Sequence, residues 1–170
     1  VIPLIVNLLR GFRGHPSHPP LTDASIGAYT AGSFLIFLGW FGVLEEKLAW
    51  GGFLAIAVGL VLAIPTVLTG FVDYLRIPRS TAMRRTANLH WVVMACTTAT
   101  YLVADAMLQT GFDTGRIPGS AALVTLAAFC LLFAGGYIGG TIVFVYGSRV
   151  LGEDRDHPTL EALKPKYPPD

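Results

Sequence analysis

Charge is what this sequence has least of. Asp, Glu, Lys and Arg make up 14% of its 170 residues and balance to a net +1, whereas an ordinary soluble domain carries roughly 25% charged residues. So weak a field draws in no polyanion, and no Lys/Arg stripe interleaved with aromatics is present, which excludes a nucleic-acid surface. Cysteine is scarce as well. Cys96 and Cys130 lie inside apolar segments, form no CxxC pair, and read as small packing residues. Also missing are a GxSxG elbow, a Walker loop, a dinucleotide fingerprint and an HExxH pair. Neither thiol has the electropositive neighbour that Cys–His catalysis requires. No enzyme is expected.

What is present is apolar. Hydrophobic residues make up 53% of the chain, and the mean hydropathy is +0.59. Four long apolar stretches stand out, Ala24 to Leu44, Leu48 to Leu75, Ala87 to Gln109 and Ser120 to Tyr146. Each is long enough to cross a hydrocarbon core of about 30 Å as a helix. Lipid offers no partner to a free backbone N–H or C=O, so helices are the expected solution and the loops must fall at the interfaces. Three loops are expected there: Glu45 to Lys47, Arg76 to Arg85, and Thr110 to Gly119. The fold class is therefore all-α, an integral membrane antiparallel four-helix bundle in contact with the lipid bilayer.

Residues 1–23 read as an N-terminal interfacial segment. Val1 to Leu9 is too short to span, and Arg10 and Arg13 follow the apolar run instead of preceding it as they would in a signal peptide. Residues 24–147 form the bundle, and residues 148–170 a polar, proline-containing tail that reads as poorly ordered or partner-bound. Orientation follows from the basic residues. One side of the membrane collects Arg10, Arg13, Arg76, Arg79, Arg84, Arg85, Arg149, Arg155, Lys164 and Lys166, while the other holds only Lys47 and Arg116. The positive-inside rule then places both termini in the cytoplasm. Close helix packing is expected where small residues cluster. Gly135, Gly136, Gly139 and Gly140 form two overlapping GxxxG pairs, with a weaker set at Gly27, Ala28, Ala31 and Gly32. Pro65 inside the second span is expected to kink it.

Ionisable groups within a membrane are costly, and by default they mark function. His15 and His18 precede the first span, Asp73 ends the second, and His90 lies one turn into the third. The topology sends all four to the Arg-rich end, near Tyr146. Three imidazoles can ligate a divalent metal such as zinc, and two can take the axial positions of a haem b, with Asp73 as the acceptor that fixes a tautomer. The alternative is structural: histidines bonded to neighbouring carbonyls, and Asp73 paired with Arg76 or an imidazole. A second feature is a polar stripe along one face of the third helix, His90, Met94, Thr97, Tyr101 and Asp105. It reads either as a proton path or cofactor edge, or as interhelical hydrogen bonding.

Four islands in order, Gly14-His15-Pro16-Ser17-His18-Pro19, Thr69-Gly70-Phe71-Val72-Asp73-Tyr74, His90, and Gly139-Gly140 with Tyr146-Gly147, resemble a bacterial family of four-span predicted membrane proteins of unknown function that opens with GHPxHP. Tyr146 stands where a histidine is usual in that pattern. The resemblance implies the fold. Some relatives are joined to Rieske iron–sulfur domains, which implies an association with electron transfer, although this chain lacks the Cys and His pairs such a cluster needs. The expected function is an accessory subunit of a membrane redox complex, with other membrane subunits as partners and His90 plus His15 or His18 as ligands. The rivals are a cofactor-free structural scaffold and, less favoured without an inverted repeat, a small transporter.

Overall fold

The computed structural model describes residues 9, 11, 12 and 15–148. Residues 1–8, 10, 13 and 14 of the expected interfacial segment and the tail from Arg149 lie outside the described residues. A two-residue hairpin, β1 (Gly11–Phe12) and β2 (His15–Pro16), precedes four helices: α1 (His18–Trp40), α2 (Glu45–Tyr74), α3 (Ala82–Thr114) and α4 (Gly119–Gly140). A π-helical turn, Thr141–Val145, extends α4. All four helices are long and apolar enough to cross a membrane, and they pack as an antiparallel bundle with α1 beside α2, α2 beside α3, α3 beside α4, and α4 closing on α1.

The spans fall where expected, but their ends do not. Helix α1 starts six residues before the expected Ala24, because Pro19 and Pro20 occupy its first turn, where a missing N–H costs nothing and φ is already helical. Glu45 and Glu46, expected in a loop, form the first turn of α2, where carboxylates favour the positive end of the helix dipole. The chain turns earlier, through Gly42 and Leu44 in left-handed conformations. Helix α3 runs to Thr114 and ends at Gly115 with φ +70°, and the Glu45 carboxylate accepts from the Ile117 N–H at 3.0 Å, tying the last loop to the head of α2.

Glycines let bulky side chains key into neighbouring helices. A methyl on Gly32 would lie 2.7 Å from Ile56 Cγ1, one on Gly52 2.5 Å from Ile36 Cδ1, and one on Gly59 2.6 Å from the Tyr29 ring. Such close approach supplies packing energy that lipid alone does not. The overlapping glycines of α4 divide between two faces. Gly135 and Gly139 point inward against Met94 and His90, while Gly136 meets nothing within 4 Å.

The second hairpin repeats the first. Moving 72 positions along the chain takes His18 to His90, Ser25 to Thr97, Tyr29 to Tyr101, Gly32 to Ala104 and Ile36 to Leu108. Apart from the two histidines, which are partly covered, every member of these pairs is buried. Moving 69 positions takes the inward residues of α2 to those of α4, among them Ile56 to Thr125, Gly59 to Ala128 and Gly70 to Gly139. Helices α1 and α3 run in the same direction, so the pattern has a pseudo-twofold axis along the bundle. Tyr29 and Tyr101 meet across it, stacked with centroids 4.2 Å apart and planes 4° from parallel.

Candidate functional site

Two histidines face the interior at the Arg-rich end, held in matching ways. His18, the first residue of α1, places Nδ1 3.0 Å from the Thr66 carbonyl of α2. Its ring lies against Gly70, where an added methyl would come within 2.7 Å of Cε1. His90 of α3 places Nδ1 3.0 Å from the Gly135 carbonyl of α4, and its ring lies against Gly139, where a methyl would come within 2.9 Å of Cε1. The 69-residue shift that relates Gly70 to Gly139 also relates Thr66 to Gly135. The hydrogen bond and the glycine notch are therefore both repeated.

A carbonyl only accepts, so each Nδ1 carries the proton and each neutral ring keeps its lone pair on Nε2. Around His18, the Thr22 hydroxyl donates to the His18 carbonyl at 2.9 Å and lies 3.4 Å from Nε2. Thr69 donates to the Pro65 carbonyl at 2.9 Å and lies 3.4 Å from Nδ1. His90 lies within electrostatic reach of His18, and so does Asp73. Each imidazole is thus braced through Nδ1 to a backbone carbonyl of the neighbouring helix. Such bracing fixes ring orientation and raises ligand basicity.

Three of the four expected residues, His18, Asp73 and His90, lie at the same end of the bundle. His15 does not join them. It sits exposed on β2, outside the helix that begins at His18, and the hairpin that carries it depends on Gly11, which takes φ +121° and whose missing Cβ makes room for the His15 carbonyl. Among the described residues no group of three or more His, Cys, Asp or Glu side chains is placed to hold a metal ion. Of the expected His15, His18 and His90 trio, the bundle therefore holds only His18 and His90. Tyr146 closes the same end by a 3.4 Å contact between its hydroxyl and that of Thr86.

The polar stripe of α3 is largely interior bonding. Thr97 is buried and donates to the Val93 carbonyl of its own helix, and the buried Tyr101 hydroxyl shares a 2.9 Å bond with Ser33. The 72-residue shift takes Ser33 to Asp105 and Tyr101 back to Tyr29, so the symmetric bond would join Asp105 to Tyr29. It is not formed. Tyr29 is 1% exposed, and its hydroxyl, beside Thr98 and within electrostatic reach of Asp105, makes no hydrogen bond of ordinary geometry; nor does the buried Oδ1 of Asp105. Neither Ser33 nor Tyr29 stood out in the sequence, because both sit in an otherwise apolar span. The repeat distance of 72 was the signal that would have found them.

The family model described as predicted membrane protein (DUF2231) matches residues 14–152, and the chain belongs to that family. No curated protein and no solved structure matches it.

Proposed function

We propose that this membrane protein is an accessory subunit of a bacterial inner-membrane redox assembly and holds a haem between His18 and His90. The observation that carries the proposal is the matched pair of imidazoles, each donating from Nδ1 to a backbone carbonyl and each keeping Nε2 for a ligand bond. Haem iron takes two axial imidazoles, and such a group, when bound, supplies one-electron chemistry. The chain's own residues do the rest. Thr66 and Gly135 fix the tautomers, Gly70 and Gly139 give the rings room, and Asp73 lies within electrostatic reach of His18.

Partner contact is supported by α4. Tyr137 is 82% and Phe144 86% exposed, and the open Gly136 lies between Phe133 and Tyr137 on a surface that another transmembrane helix can approach closely. With the basic end in the cytoplasm, the histidine pair lies near that face. The test is an absorption spectrum of the purified protein, oxidised and then dithionite-reduced. A Soret band that shifts on reduction and is lost in His90→Ala supports the proposal. A colourless protein that stays colourless when supplied with haem leaves the scaffold function in its place.

A further inference from the structure

The outer surface along the α2–α3 seam is not flat. Leu60, Ala63, Ile64, Val67, Leu68 and Thr98 line an outward-opening cleft of about 280 Å³. At about 1.5 Å rise per residue, Leu68 lies about 9 Å and Leu60 about 21 Å from Tyr74 along the helix. That range overlaps the depth of one leaflet of a hydrocarbon core about 30 Å thick.

Towards the Arg-rich end the seam becomes aromatic. Trp91 meets Phe71 edge-on at 5.8 Å and Tyr74 at 6.0 Å. Beyond these rings the chain turns basic. Arg84 is engaged, donating to the Tyr74 and Ile77 carbonyls at 2.8 and 3.1 Å with its guanidinium 3.6 Å from the centre of the Tyr74 ring. Arg76, Arg79 and Arg85 are exposed, and residues 75–85 contain no acid. Asp73, just before them, is half-buried and within electrostatic reach of His18.

We infer that this seam binds one anionic phospholipid, with an acyl chain in the cleft, the glycerol region beside the aromatic group and the phosphate on the exposed arginines. The order of surfaces along the membrane normal, apolar cleft, Tyr/Trp, then guanidinium, matches the order of parts in a phospholipid. Interfacial Tyr and Trp hold the headgroup level, and guanidinium pairs with phosphate through two parallel hydrogen bonds. An anionic headgroup is selected because three exposed cations with no acid among them repel the ammonium of a zwitterionic one.

The full chain, reconstituted in nanodiscs of equal phosphatidylglycerol and phosphatidylcholine, is released and its lipid adducts are counted by native mass spectrometry. The expected result is one retained phosphatidylglycerol in preference to phosphatidylcholine. The preference is lost in Arg76→Gln/Arg79→Gln/Arg85→Gln, and retention of either lipid falls in Val67→Trp, which fills the cleft from an exposed position without entering the core. Equal retention of the two lipids, or retention unchanged in both variants, overturns the inference. So does displacement of the lipid by inorganic phosphate alone, which would make the arginines a free-anion site.

Discussion

Replacing Asp105 with Ser should stabilise the protein, although it removes an ionisable group from a functional-looking stripe. Wild-type Asp105 stands where the repeat places Ser33, and it leaves its own buried Oδ1 without a hydrogen bond and the Tyr29 hydroxyl with only a poorly aligned contact to Thr98. An unsatisfied buried polar group costs about 1–3 kcal/mol, while a made interhelical bond in a membrane contributes about 0.6 kcal/mol on average. Asp105→Ser copies the 2.9 Å Ser33–Tyr101 bond across the axis, so a gain of about 1 kcal/mol is expected. The assay is a reversible denaturant titration in mixed micelles followed by tryptophan fluorescence. The control is a double-mutant cycle with Tyr29→Phe. In the wild-type background, removing the poorly bonded Tyr29 hydroxyl should be close to neutral; in the Asp105→Ser background it should cost the new bond. No gain for Asp105→Ser, together with zero coupling in the cycle, would refute the symmetry argument.

Other outcomes follow from the same packing. Ser33→Ala leaves the buried Tyr101 hydroxyl unpaired and should cost about 1–3 kcal/mol in the same titration. Gly139→Ala drives a methyl to 2.9 Å from the His90 ring; it should displace the imidazole, costing about 1–3 kcal/mol as overpacking and weakening haem uptake, whereas Gly136→Ala, facing open space, should do neither. Glu45→Ala removes the acceptor of the Ile117 N–H. It should lose about 1–3 kcal/mol and speed hydrogen exchange at that amide, measurable by mass spectrometry.

The spans were legible because composition alone separates lipid-facing sequence from loops, and one observed helix takes up most of each of the four stretches. Their ends were less so, because proline and glutamate mark a loop or a helix's first turn with equal ease. Pro19, Pro20, Glu45 and Glu46 all proved to be first-turn residues. The shared location of His18, Asp73 and His90 was readable, since topology alone brings them to one end. His15 was drawn in by its place in GHPSHP, but chain proximity does not carry it past the start of α1. The bracing carbonyls of Thr66 and Gly135 leave no mark in residue identity, because any residue supplies a backbone C=O. The glycines of α4 were visible as a packing stripe. That one pair serves His90 and Met94 while Gly136 lies open depended on helix rotation, which an all-apolar span does not encode.

Titration of the purified protein with hemin, comparing wild type with His15→Ala, His18→Ala and His90→Ala, tests the paired-histidine site most directly. Each variant is first shown to keep its helical circular dichroism. The prediction is one haem per chain with a six-coordinate low-spin spectrum in wild type and His15→Ala, and loss of that spectrum in both His18→Ala and His90→Ala. Low-spin binding that survives in either of those two variants, or absent from wild type, would contradict it.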